Sequence, residues 1–194
     1  MQDLDLNTST NTKKSNAIDP QVFIVWLAII SSFMMFGAWT SAYIVAKGDS
    51  NGLDFSLPTY FQSSTVVILL SSITMHLAYH WAKTNEITRL RWALVATFSL
   101  GFAFLGLQIG AFSQLTSQEI YFVGNSLGKY IYLLAGMHAT HIIAGIIFLF
   151  VTFVAAIRFK VHSKSLRLIT MCSIFWHFVD ALWIFLYFFM LYNK

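Results

Sequence analysis

Three short histidine patterns lie within or beside apolar sequence: His76-x-x-x-His80, His138-x-x-His141 and His177-x-x-Asp180. Side chains three or four residues apart share one face of a helix. Imidazole pairs at that spacing can hold a metal, and pairs on facing helices can hold haem. Asp180 is the only formally charged side chain inside any of the long apolar runs. A lone carboxylate in hydrocarbon either keeps its proton or finds a partner. The expectation is a hydrogen bond from Asp180 to a histidine, on the fourth span or one turn away. Two readings of the histidines stand side by side. One is ligation; the other is a set of hydrogen-bonded interior groups that tie helices together. No cysteine or glutamate completes a metal set, and no second in-membrane acid completes a proton relay.

These residues need a helix to position them. The segment Phe175–Tyr187, FWHFVDALWIFLY, carries the most informative of them. At 100° per residue, Ser173, Trp176, His177, Asp180, Trp183, Ile184 and Tyr187 share a face. Phe175, Leu182, Phe185 and Phe189 form an opposite face of plain hydrocarbon, suited to lipid. By rise per residue, Asp180 and His141 reach similar depths, about 18 Å from the inner end of the fifth span and about 17 Å from the outer end of the fourth.

Composition places that helix in a membrane. The chain is 57% hydrophobic and 10% charged, with mean hydropathy +0.67, where soluble domains carry about 25% charged residues. The expected fold is an all-α polytopic bundle of five spans, at 22–46, 61–81, 92–112, 130–157 and 168–191. Each meets the roughly 20 residues that cross a bilayer core. Residues 1–21 read as a polar, disordered cytoplasmic tail without a cleavable signal, and 22–194 as a single domain. Asp19-Pro20 forms a helix start, with Asp as N-cap and Pro first in the helix. A turn is expected at Ser56-Leu57-Pro58. Glu119 is read as a solvated charge in a loop. The single cysteine, Cys172, allows no internal disulfide and behaves as a small hydrophobe.

Basic residues set the orientation. Lys13, Lys14, Lys83, Arg89, Arg91, Arg158, Lys160, Lys164 and Arg167 fall on one side, against Lys47, Lys129 and Lys194 on the other. The N-terminus is therefore expected in the cytoplasm and the C-terminus outside. The excess of 12 basic over 8 acidic residues flanks spans and does not point to nucleic acid. Small residues allow close helix approach: Gly106 with Gly110, Gly37 with Ser41, Ala38 with Ala42, and Gly136, Thr140 and Ala144. Ser63, Ser64, Ser71, Ser72 and Thr74 can hydrogen-bond across helices. Trp26, Trp81, Trp92, Tyr43 and Tyr121 are expected in interfacial belts.

The run Phe175-Trp176-His177-Phe178-Val179-Asp180, followed by Trp183 and Leu186-Tyr187, resembles the last helix of subunit III of the haem-copper oxidases. Gly136-x-His138-x-x-His141 with Gly145 resembles that family's preceding helix. Ser71-Ser72-Ile73-Thr74 and Gly106-Leu107-Gln108 are similar to it as well, most closely to its short five-helix bacterial form.

The resemblance implies a subunit that is itself non-catalytic, with no haem, copper or other metal in this chain. It implies haem and copper in partner subunits I and II, bound phospholipid, and support of proton uptake and turnover by subunit I. Cytochrome c is the expected electron donor to the complex, ahead of quinol, and the bacterial inner membrane the expected location. His138, His141, His177 and Asp180 become a structural polar cluster. Trp176, Trp183, Tyr187, Gly136, Gly145, Gly106 and Gly110 become packing positions. On this reading Asp180→Asn is mild and Asp180→Leu loosens association with the catalytic subunit.

The sequence departs from the family's pattern in places. Longer members have two further helices ahead of these five. Many carry a glutamate where Ser32 stands here, and often another near Ala111. An independent b-type membrane cytochrome with histidine ligands, or a small transporter using Asp180, are the competing readings.

Overall fold

The computed structural model describes residues 19–48, 59–117, 127–158 and 166–193. Five helices occupy them: α1 (Pro20–Gly48), α2 (Thr59–Lys83), α3 (Ile87–Ser117), α4 (Gly128–Ile157) and α5 (Arg167–Tyr192). All five are long and apolar enough to cross a membrane. Each covers its expected span and overruns it at one end or both, α3 by five residues at either end. Hydropathy marks only the hydrocarbon-buried part of a helix, whereas backbone pairing continues into the interfacial layer. Residues 1–18 of the expected tail, the turn at Ser56-Leu57-Pro58, Tyr121 and Glu119 lie outside the described residues, while Pro20 and Gln21 of that tail belong to α1.

Local chemistry explains the visible ends. Asp19 caps α1: its carboxylate accepts the Gln21 backbone N–H at 3.3 Å, and Pro20 opens the helix. The α2–α3 connection is three residues long. It reverses direction at Asn85, which takes a left-handed φ of 59°, a conformation that asparagine tolerates better than most residues.

α2, α3, α4 and α5 close into a ring in which each packs on its two neighbours, and α1 lies outside against α4 and α5. α4 and α5 are thus the two helices with three partners each. The buried set of α5 includes Trp176, Val179, Asp180, Leu182, Trp183 and Leu186. The expected lipid face is corrected here. Leu182 is buried, whereas Phe185 is exposed as expected and is joined on the outward side by Ala181 and Phe188.

α1 and α5 run parallel and are clasped at both ends. An ion pair joins Asp19 to Arg167. At the far end Tyr43 Oη and Lys47 Nζ donate to the Asn193 carbonyl, at 3.2 and 2.7 Å. Tyr43 is 3% exposed and packs edge-on against Tyr130 and Phe189. It is a core residue and not part of an exposed belt, because its hydroxyl is satisfied by the Asn193 carbonyl. Trp26 and Trp92 are exposed, as a belt requires.

Candidate polar cluster between the helices

The glycines that matter are those that admit the α5 tryptophans. A Cβ on Gly101 would stand 3.1 Å from the Trp176 ring, and one on Gly145 3.3 Å from it. Trp176 is thereby held between α3 and α4. Gly110 receives the Tyr60 ring in the same way, at 3.2 Å. Gly106, Gly136 and Gly37 meet no atom within 4 Å, so the helix approach expected at those positions is not made among the described residues. Small side chains permit close contact but do not by themselves draw a neighbour in.

α2 supplies the hydroxyls that satisfy α5. Trp176 Nε1 donates to Ser71 Oγ and Trp183 Nε1 to Thr65 Oγ1, both at 3.1 Å. His177 Nδ1 pairs with Ser72 Oγ at 2.8 Å. Between α2 and α3, Thr74 meets Thr97 at 2.8 Å and Gln108 Nε2 donates to Ser64 Oγ at 3.3 Å. Ser64, Ser71, Ser72 and Thr74 therefore bridge helices as expected. Ser63 is exposed and bonds its own helix at Thr59. Each bridge contributes about 0.6 kcal/mol on average in a membrane.

The four candidate residues fall into three places. His138 is fully buried in the ring, its imidazole 5.0 Å from the Trp183 ring and 5.6 Å from that of Phe104. Neither of its nitrogens has a hydrogen-bond partner among the described residues. His141, three residues on, turns into the α1 contact. Its Nδ1 lies 2.8 Å from the Met137 carbonyl and its Nε2 3.1 Å from Ser32 Oγ. A carbonyl only accepts, so Nδ1 carries the proton; the one Ser32 hydroxyl proton is shared between Nε2 and the Ala28 carbonyl, 2.8 Å away. His177 and Asp180 face α2, with Ser72 beside both.

The expected Asp180–histidine hydrogen bond is not made. The carboxyl is 3% exposed and neither oxygen has a partner in hydrogen-bond geometry among the described residues. His177 Nδ1 is paired with Ser72, and His138 is set against aromatic rings instead. Tyr187, half-buried on the same helix, packs on Phe188.

Sequence reasoning missed Thr65, Phe104 and Gly101 in these contacts, and read Ser32 only as the absence of an acid. The recurrence of hydroxyls at 64, 65, 71 and 72, opposite indole donors on α5, was the available signal.

Comparison with known proteins decides among the readings. The family model for cytochrome c oxidase subunit III matches residues 52–194, most of the chain. The chain belongs to the haem-copper oxidase subunit III family.

Relatives of this subunit III chain include cytochrome bo(3) ubiquinol oxidase subunit 3 of Pseudomonas aeruginosa, 30% identical over 84% of this chain and 80% of its own length. Cytochrome c oxidase subunit 3 of a Bacillus species is 24% identical, with the same coverage of both chains. A probable quinol oxidase subunit 3 of Staphylococcus saprophyticus is 25% identical over 84% of this chain and 83% of its own. The subunit III chain is thus a multi-pass membrane component of a multi-subunit terminal oxidase in aerobic respiration. Among its described residues, no group of three or more histidine, cysteine or acidic side chains could hold a metal ion.

Proposed function

We propose that this chain is the non-catalytic subunit III of a proton-pumping oxidase. It serves as a scaffold that supports assembly, phospholipid binding and sustained proton uptake by subunit I. The observation that carries this reading is the engagement of the histidines. His141 is occupied at both nitrogens, His177 is tied to Ser72, and His138 is walled in by Trp183 and Phe104. A haem ligand must present a free imidazole nitrogen to an open plane, which neither His138 nor His141 does, so the arrangement on α4 favours a helix-tying role over an independent cytochrome. Haem and copper then belong to subunits I and II, and His138, His141, His177 and Asp180 act as structural groups.

Cytochrome c as electron donor rests on the matching family model and the Bacillus relative. The Pseudomonas and Staphylococcus relatives, named as quinol oxidase subunits, favour quinol. The proposed location is the bacterial inner membrane, with the N-terminus cytoplasmic. A tagged chain purified in mild detergent is expected to bring down a haem-containing oxidase core. The chain purified alone is expected to show no Soret band. A stoichiometric band from the isolated chain would establish the cytochrome reading instead.

A further inference from the structure

The exposed surface of this bundle is not uniform. Where polar side chains face outward along α3 and α4, they can satisfy themselves on their own helix. Ser99 bonds Val95 and Thr140 bonds Gly136, at 3.0 and 3.1 Å. Such hydroxyls can face lipid at little cost.

The α2/α5 side is different. α2 packs on α3 and α5, and α1 on α4 and α5. This leaves one side of α5 covered by neither, presenting half-buried His177 and exposed Ala181 and Phe185. Along the adjoining edge of α2, Leu69, Ile73 and His76 are exposed. The His76 and His177 rings lie 6.3 Å apart, centroid to centroid. Ser72 takes Nδ1 of His177. Its Nε2 and both nitrogens of His76 make no hydrogen bond among the described residues.

Depth excludes a headgroup as the natural partner. His177 is ten residues from the start of α5, about 15 Å along the axis. His76 is seven residues from the end of α2, about 10 Å. An imidazole held at that depth against acyl chains leaves donors and acceptors unsatisfied, which bilayer-spanning structures avoid. A protein helix can supply a hydroxyl, amide or carboxyl there, and its side chains can fill the apolar stretch over Ala181, Phe185, Leu69 and Ile73.

We propose that a transmembrane helix of another subunit of the oxidase docks on the α2/α5 side, with a hydrogen-bonding side chain set against the His76–His177 pair. This rests on the subunit reading above and adds the face by which the subunit is held.

Site-specific photo-cross-linking in native membranes tests it. A photoreactive residue is placed at Ile73 or Ala181, and at Phe102 on the outward side of α3, which is 52% exposed. Ile73 and Ala181 are expected to yield an adduct with a second, different subunit in at least fivefold excess over Phe102. Adducts only to lipid, adducts between two copies of this chain, or equal yields at Phe102 would overturn the docking face while leaving the subunit reading intact. Recovery of this chain from the same membranes without any oxidase subunit would overturn both.

Discussion

Asp180 shows how burial and hydrogen bonding separate at a single residue. Its position in the last apolar run led to an expected histidine partner, and hence to Asp180→Leu loosening the complex. The carboxyl is instead buried beside Ser72, with no partner in hydrogen-bond geometry among the described residues. Removing an unsatisfied buried polar group in favour of an apolar one of similar size is close to neutral. Both Asp180→Asn and Asp180→Leu are therefore expected to retain the fold within about 1 kcal/mol. Retention of the chain in the purified complex and its unfolding midpoint in denaturing detergent check this, and a large loss for Leu alone would contradict it. Ser71 behaves in the opposite way. Ser71→Ala strips the acceptor from the buried Trp176 indole and is expected to destabilise by about 1–3 kcal/mol. Ser63→Ala, exposed and bonded only to its own helix, is expected to be silent in the same unfolding measurement.

At the scale of elements, helix contacts are set by large side chains fitting against particular glycines. Trp176 of α5 rests on Gly101 of α3 and Gly145 of α4. Gly145→Val forces branched carbon into that ring and is expected to cost about 1–3 kcal/mol. Gly106→Ala adds its methyl to open space and is expected to stay within about 0.5 kcal/mol of the parent. The two substitutions, compared by thermal unfolding in detergent, separate a contact glycine from a small-residue motif without one. The sequence made both look alike, since spacing records which helix face carries small residues but not whether another helix arrives there. Likewise the hydroxyls of α2 were legible as potential bridges, while their pairing with Trp176, Trp183 and His177 required knowing that α2 abuts α5.

The whole molecule is a closed four-helix ring with α1 appended. α1 has the smallest buried share of any span, 11% of its most apolar window against 39% for α5, and is clasped to α5 near its two ends. Local stability follows buried contact. In detergent, the central amides of α1 are expected to exchange hydrogen before those of α5, as mass spectrometry of peptides from each would show. Simultaneous exchange would mean that α1 is integral to the ring.

The sequence by itself determined the membrane class, the five spans, the Asp19-Pro20 helix start and, through the motif from Phe175 to Tyr187, the family. These follow from quantities local to the chain: hydropathy over about 20 residues, capping chemistry and side-chain spacing. Tertiary structure alone decided that Leu182 and Tyr43 are interior, that His138, His141 and His177 enter three different contacts, and that Asp180 takes no histidine. In hydrocarbon every apolar face is equally content with lipid or protein, so periodicity cannot say which neighbour a face meets. Only the arrangement of the helices settles it.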